Sequence, residues 1–132
     1  MSSRNLSILI FSLALCLISC NSKGSFERNT LIVPQIGCTT CVKIGKELAA
    51  KNPNNPCLDI VFTKIQSYKS LKIEMGYDFF DLANVYVDSI ESFSDIVSSF
   101  PVLILNDSIL EINAYYLSKT DSLTEVLQQC DH

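Results

Sequence analysis

The sequence predicts an α/β fold, a mixed central sheet with helices on both faces. Three observations carry that expectation. From residue 30 onward, short apolar runs alternate with stretches of helical period, the signature of strands wound with helices. After Pro101 the alternation gives way to two strands joined at Asn106-Asp107-Ser108, which calls for an antiparallel hairpin at one edge. The connections are short, so 132 residues hold one folded domain and no second.

Residues 30–34 read as a short buried strand. Residues 39–51 form the first helix. Cys41, Ile44, Gly45, Leu48 and Ala49 recur at spacings of three and four on one face, while Lys43, Lys46 and Glu47 look outward. Asn52-Pro53-Asn54-Asn55-Pro56 is a turn. Residues 58–64 are a strand whose near-continuous apolar run suits burial on both faces. Residues 66–75 are a second helix, striped by Tyr68, Leu71 and Met75 and stopped at Gly76. Residues 78–83 show no decisive period. Residues 85–87 are a short strand ending at Asp88, and Ile90, Phe93, Ile96 and Val97 give residues 90–98 the period of a short helix. Residues 100–105 form a strand with proline near its start, where a missing N–H is tolerated, and residues 109–116 form its returning partner. Ser122-Leu123-Thr124-Glu125 is a capping-box pattern. It opens a last helix that docks through Leu123, Val126, Leu127 and Cys130.

The first nineteen residues stand apart. Arg4 is a short basic start, and residues 6–17 are a hydrophobic run too short to span a bilayer and suited to a signal peptide. The run ends in Leu17-Ile18-Ser19-Cys20, which resembles the lipobox of bacterial lipoproteins. That resemblance implies a signal over residues 1–19, lipidation of Cys20, a polar tether over 20–29 and a folded domain over 30–132. It places the domain in the cell envelope, held to a membrane by its lipid and facing the periplasm. Asn21, rather than aspartate, after the lipid cysteine leans toward the outer membrane. The whole chain has formal charge −4, and −5 without Arg4. With no basic cluster, nucleic acid is not an expected partner.

Of six cysteines, Cys16 falls in the signal and Cys20 carries the lipid, leaving Cys38, Cys41, Cys57 and Cys130. An exported chain with four such thiols suits a disulfide-permissive compartment. Cys38-Thr39-Thr40-Cys41 sits where the first strand hands over to the first helix. Helix N-termini carry unpaired N–H groups and partial positive charge. A thiolate there is favoured, and Cys-X-X-Cys motifs lower their first thiol to roughly 3.5–7. Helical spacing puts Cys41 toward the core and Cys38 at the exposed tip, the asymmetry that a nucleophile and a resolving thiol need.

The Cys-X-X-Cys after the first strand, together with Phe100-Pro101 and the hairpin through Ile109, resembles the thioredoxin-like superfamily over most of residues 30–130. The extra unit at 84–98 is similar to the insertion of its TlpA/ResA-like, membrane-tethered thiol–disulfide oxidoreductases. The resemblance implies a three-layer thioredoxin-like sandwich in which Cys38 attacks and Cys41 resolves. It further implies that Pro101 is a cis proline which, with Phe100, receives the substrate beside the disulfide. The expected partners are protein thiols or disulfides and an upstream membrane electron donor or acceptor, with no cofactor and no metal. Gly37 stands where the family has an aromatic residue, and residues 30–34 lack the family's buried acid.

Two other readings of the motif compete. One is a fixed disulfide in a non-catalytic binding or assembly lipoprotein. The other is a Cu(I) carrier, since soft thiolates favour Cu(I) and Cys38-Thr39-Thr40-Cys41-Val42 also resembles the loop of heavy-metal-associated domains. The lone His132 offers no ligand beside the motif. Cys57 and Cys130 fall at the opposite pole. They suit either a structural disulfide or, separately, a buried Cys130 and a more exposed Cys57.

Overall fold

The computed structural model describes residues 28–130. The expected signal, Cys20 with its expected lipid, most of the expected tether and His132 lie outside them. Among the described residues there are five strands and three α-helices; the strands are β1 (Asn29–Pro34), β2 (Leu58–Thr63), β3 (Val85–Val87), β4 (Val102–Leu105) and β5 (Ser108–Glu111). Three α-helices join them: α1 (Thr39–Ala50), α2 (Tyr68–Met75) and α3 (Thr120–Leu127). The strands form one sheet in the order β3-β2-β1-β4-β5. β1, β2 and β3 run parallel, while β4 runs antiparallel to β1, and β5 to β4. This is a thioredoxin-like α/β sandwich.

Side-chain alternation divides the sheet into two faces. Leu31 and Val33 of β1, Ile60 and Phe62 of β2, and Leu103 of β4 point to the larger core. They meet Val42, Ile44 and Leu48 of α1, Leu71 of α2 and Leu127 of α3 there. Each such side chain contributes about 1.5–3 kcal/mol on burial. Ile32, Val61, Val102 and Ile104 point the other way, against Val97 and Phe93. The register agrees with this division, since Ile32 lies opposite both Val61 and Val102.

The segment over the second face is not the short helix that its period suggests. Residues 89–96 form consecutive turns, with a single helical turn closed by the Val97 amide on the Phe93 carbonyl. Serines at 92, 94, 98 and 99 compete for backbone partners and favour turns over helix. The segment is pinned at its start by Asp88. That carboxylate accepts from the Thr63 hydroxyl at 3.0 Å and the Phe93 amide at 3.4 Å, and it is also hydrogen-bonded by Ser92.

Three further elements depart from the expected bounds. β5 stops at Glu111, because Ile112 turns fully inward and its amide donates to the Pro101 carbonyl at 2.8 Å. A short 3₁₀ turn, Ala114–Tyr116, occupies the rest of the expected strand. α3 begins at Thr120, ahead of Ser122, without a side-chain cap. A tertiary bond replaces the cap pattern: Lys51, at the end of α1, donates to the Thr120 hydroxyl at 2.9 Å and to Asp121 at 2.8 Å. The inward stripe of α3 is then Thr120, Leu123 and Leu127, leaving Val126 and Cys130 exposed. The hairpin turn at Asn106-Asp107 puts both residues at positive φ, 48° and 68°, as a two-residue type I′ connection needs.

Asp88 gives the fold a pH signature. Burial works against its ionisation, but the hydrogen bonds from Ser92, Thr63 and Phe93 outweigh burial and hold the carboxyl below its ordinary value of 3.8. A lowered folded-state value stabilises the fold above the unfolded-state value, and that stability is lost as pH falls through the lower folded one. Asp88→Asn is expected to lower stability at pH 7 by about 1–3 kcal/mol. The gap to the parent should narrow progressively as pH falls through the ordinary value of 3.8 towards the lower folded-state one. Urea midpoints of both proteins between pH 7 and pH 3 measure it, and a gap that widens on acidification would contradict the assignment.

Candidate functional site

β1 ends at Pro34, and the chain turns through Gln35-Ile36-Gly37 into α1. Cys38 is the N-cap of that helix. Its sulfur occupies the place of a serine or aspartate cap oxygen and accepts from the Cys41 amide at 3.4 Å. Its carbonyl begins the helical ladder, accepting from the Val42 amide at 2.8 Å. Cys38 is half-buried, whereas Cys41, one turn on, is only 2% exposed. The two are disulfide-bonded, with Cα atoms 5.2 Å apart.

A second segment completes the site. The Cys38 amide donates to the Ser99 carbonyl at 2.9 Å. The Ser99 backbone fills the space that a side chain at Gly37 would need. That explains why the residue before the first cysteine is glycine here, where an aromatic residue would stand in the family the motif resembles. The Lys64 ammonium holds the preceding carbonyl, Ser98, at 2.7 Å.

Pro101 is buried two residues further on. Its ring packs on α1 where Gly45 leaves room, since a Cβ at Gly45 would lie 2.7 Å from the proline Cγ. The expected cis proline is not found. No cis peptide bond occurs among the described residues, so the Phe100–Pro101 bond is trans. Trans is the form that X–Pro bonds favour by about 0.5–1 kcal/mol. The backbone group that touches the motif is the Ser99 carbonyl, two positions before the proline. Phe100 is half-buried beside it.

Gln35 shapes the near wall. Its side-chain oxygen accepts from the amides of Gln66 and Ser67 at 2.6 and 2.9 Å, and its nitrogen donates to the Ser67 carbonyl at 2.9 Å. This ties the turn before Cys38 to the start of α2. Between the two helices lies an open groove of about 330 Å³, lined by Gln35, Gly37, Thr39, Val42, Lys43, Lys46 and Glu74. Lys46 and Glu74 close its far end with an ion pair at 2.8 Å. Gln35, Lys64, Asp88 and Ser99 escaped the sequence reading because each acts across the fold. Only Gly37, an unexpected small residue before a cysteine, left a local trace.

The other cysteine pair is at the opposite end. Cys57 and Cys130 are bonded, with Cα atoms 5.1 Å apart. Cys57 is buried and Cys130 exposed, the reverse of the arrangement considered for unpaired thiols. Asn55 anchors this pole. Its amide donates to the Leu127 carbonyl at 2.9 Å and to Asn52 at 3.1 Å, and its oxygen accepts from the Cys57 amide at 2.9 Å. Among the described residues, no three His, Cys, Asp or Glu side chains converge as a metal site.

The chain matches no protein-family model, and neither a curated protein nor a solved structure matches it. What the site does is therefore read from its geometry. A half-buried sulfur at a helix N-terminus, bonded to a buried sulfur one turn below it, is compatible with thiol–disulfide exchange.

The Gly37–Ser99 contact makes a specific demand. Gly37→Ala pushes a methyl group into the Ser99 backbone. The expected cost is about 1–3 kcal/mol of stability, as for other overpacked sites. A urea midpoint checks this, and an unchanged midpoint would show that the 98–100 segment yields freely.

Proposed function

We propose that this protein exchanges disulfides with protein thiols through Cys38 and Cys41, tethered in the cell envelope by a lipid on Cys20. The observation that carries the reading is the asymmetry of the pair, with Cys38 reachable at the helix tip and Cys41 covered beneath it.

In the reducing direction, the Cys38 thiolate attacks one sulfur of a partner disulfide. The partner's other sulfur leaves as a thiolate and takes up a proton. The Cys41 thiol gives up its proton, and its sulfur attacks Cys38. The Cys38–Cys41 disulfide forms and the second partner thiolate departs. Two electrons pass from the protein to the partner, and the reverse sequence oxidises a partner dithiol. The helix N-terminus and the Cys41 amide favour the anion on Cys38 in either direction. Half-buried Phe100 lies on the segment that continues from Ser99, and we assign it to the surface that a partner chain meets, with buried Pro101 supporting that segment from beneath.

Cys41→Ser removes the resolving thiol and should leave partner proteins joined to Cys38. Non-reducing electrophoresis of the full chain is expected to show adducts that reductant releases. Those adducts should vanish when Cys38 is also replaced by serine, and trapping that survives the double replacement would reject the assignment.

The anchor rests on Leu17-Ile18-Ser19-Cys20. Their lipobox resemblance assigns attachment to acyl chains, of which more than one is needed for stable anchoring. Among the described residues no helix is long and apolar enough to cross a membrane. Cells fed labelled palmitate should label the parent chain and not Cys20→Ala. Equal labelling of both would refute lipidation at that residue.

A further inference from the structure

The groove beside Cys38 carries a charge that the fold leaves unanswered. Thr39, Val42, Lys43 and Lys46 fall at i, i+3, i+4 and i+7 on α1 and form one wall. Gln35 and Gly37 form the other, and Glu74 of α2 stands at the end. Lys46 is largely covered and neutralised by Glu74 at 2.8 Å. Lys43 is exposed and has no ion-pair or hydrogen-bond partner among the described residues. The first turn of α1 holds no acidic residue. The groove therefore keeps a net positive charge, one turn from the cap sulfur and on the positive end of the helix dipole. Around it is a chain of formal charge −4.

We propose that Lys43 selects the partner: the protein segment that exchanges with Cys38 carries a carboxylate side chain within a few residues of its own reacting cysteine, seated in this groove. The inference rests on the exchange reading above. The groove, about 330 Å³, has room for two or three side chains and not for a folded surface, so the choice is made by residues flanking the partner sulfur. The range of the effect follows from screening. At physiological salt the Debye length is about 8 Å, so the acidic surface elsewhere is damped while a contact inside the groove is not.

The test compares two synthetic peptides, each a symmetric disulfide of one cysteine peptide, identical except for glutamate or lysine beside the cysteine. Rates of reaction with the reduced full chain are divided by rates with dithiothreitol, which removes the peptides' intrinsic difference. The glutamate peptide is expected to react about two- to fivefold faster, the ratio an exposed charge pair supports. Lys43→Arg should keep the preference, Lys43→Met should abolish it and Lys43→Glu should invert it. Equal normalised rates with the parent chain, or a ratio unmoved by Lys43→Glu, would overturn the proposal and leave exchange itself intact. Failure of both peptides to react in a Cys38-dependent way would instead overturn the exchange reading, and this inference with it.

Discussion

The hydrogen bond from the Cys38 amide to the Ser99 carbonyl organises the Cys38–Cys41 end of this molecule. A helix N-terminus in isolation is a flexible place, with four N–H groups lacking partners. Here the cap residue itself is held by a strand-entry segment from far along the chain. That segment is fixed in turn: Asp88 holds its start against β2, Lys64 holds Ser98, and Pro101 wedges its end under α1. The two cysteines owe their relative depth to this frame. Without it, helical spacing would still turn Cys41 inward, and the turn before Cys38 would be held by Gln35 alone.

The strand pattern and α1 were legible because burial writes directly into alternation. Leu31, Ile32 and Val33 must face opposite cores, and no other period serves a two-sided sheet. The Cys-X-X-Cys could be placed at the helix tip for the same reason, since Ile44, Gly45 and Leu48 set the helix phase. Less was legible where a tertiary partner overrode a local preference. The capping box at Ser122 lost to the Lys51 bridge at Thr120 and Asp121. The apolar period at residues 90–98 lost to its serines, which favour turns, and to a backbone that takes Glu91 to a φ of 55°, outside the helical region. The isomer of Pro101 had no sequence signal at all, and the resemblance that supplied one pointed to the wrong form.

Chemically, the site works with little. It has no histidine beside the motif and no acid in β1. What favours an anion on Cys38 is the backbone: the helix end, worth about 0.3–1 kcal/mol for an exposed charge, and the Cys41 amide. In the proposed exchange, such modest support leaves a partner's own flanking charges comparable in size to anything the protein supplies at the sulfur. A single unpaired lysine in the adjoining groove is then enough to matter.

The far pole is built on the opposite plan. Asn52, Asn55 and Asn84 are buried and hydrogen-bonded to backbone carbonyls across the loop, with Asn84 donating to Leu58 at 3.0 Å. The Cys57–Cys130 bond ties this knot to the end of α3 across a separation of 73 residues. Chain-entropy reasoning assigns a crosslink over so long a loop about 4 kcal/mol, and one over a three-residue separation about 2 kcal/mol. Opening Cys38–Cys41 therefore removes the smaller restraint. The larger restraint sits at the far pole. In the proposed exchange the bond that opens and closes is thus the lesser of the two, and each cycle leaves the larger restraint in place.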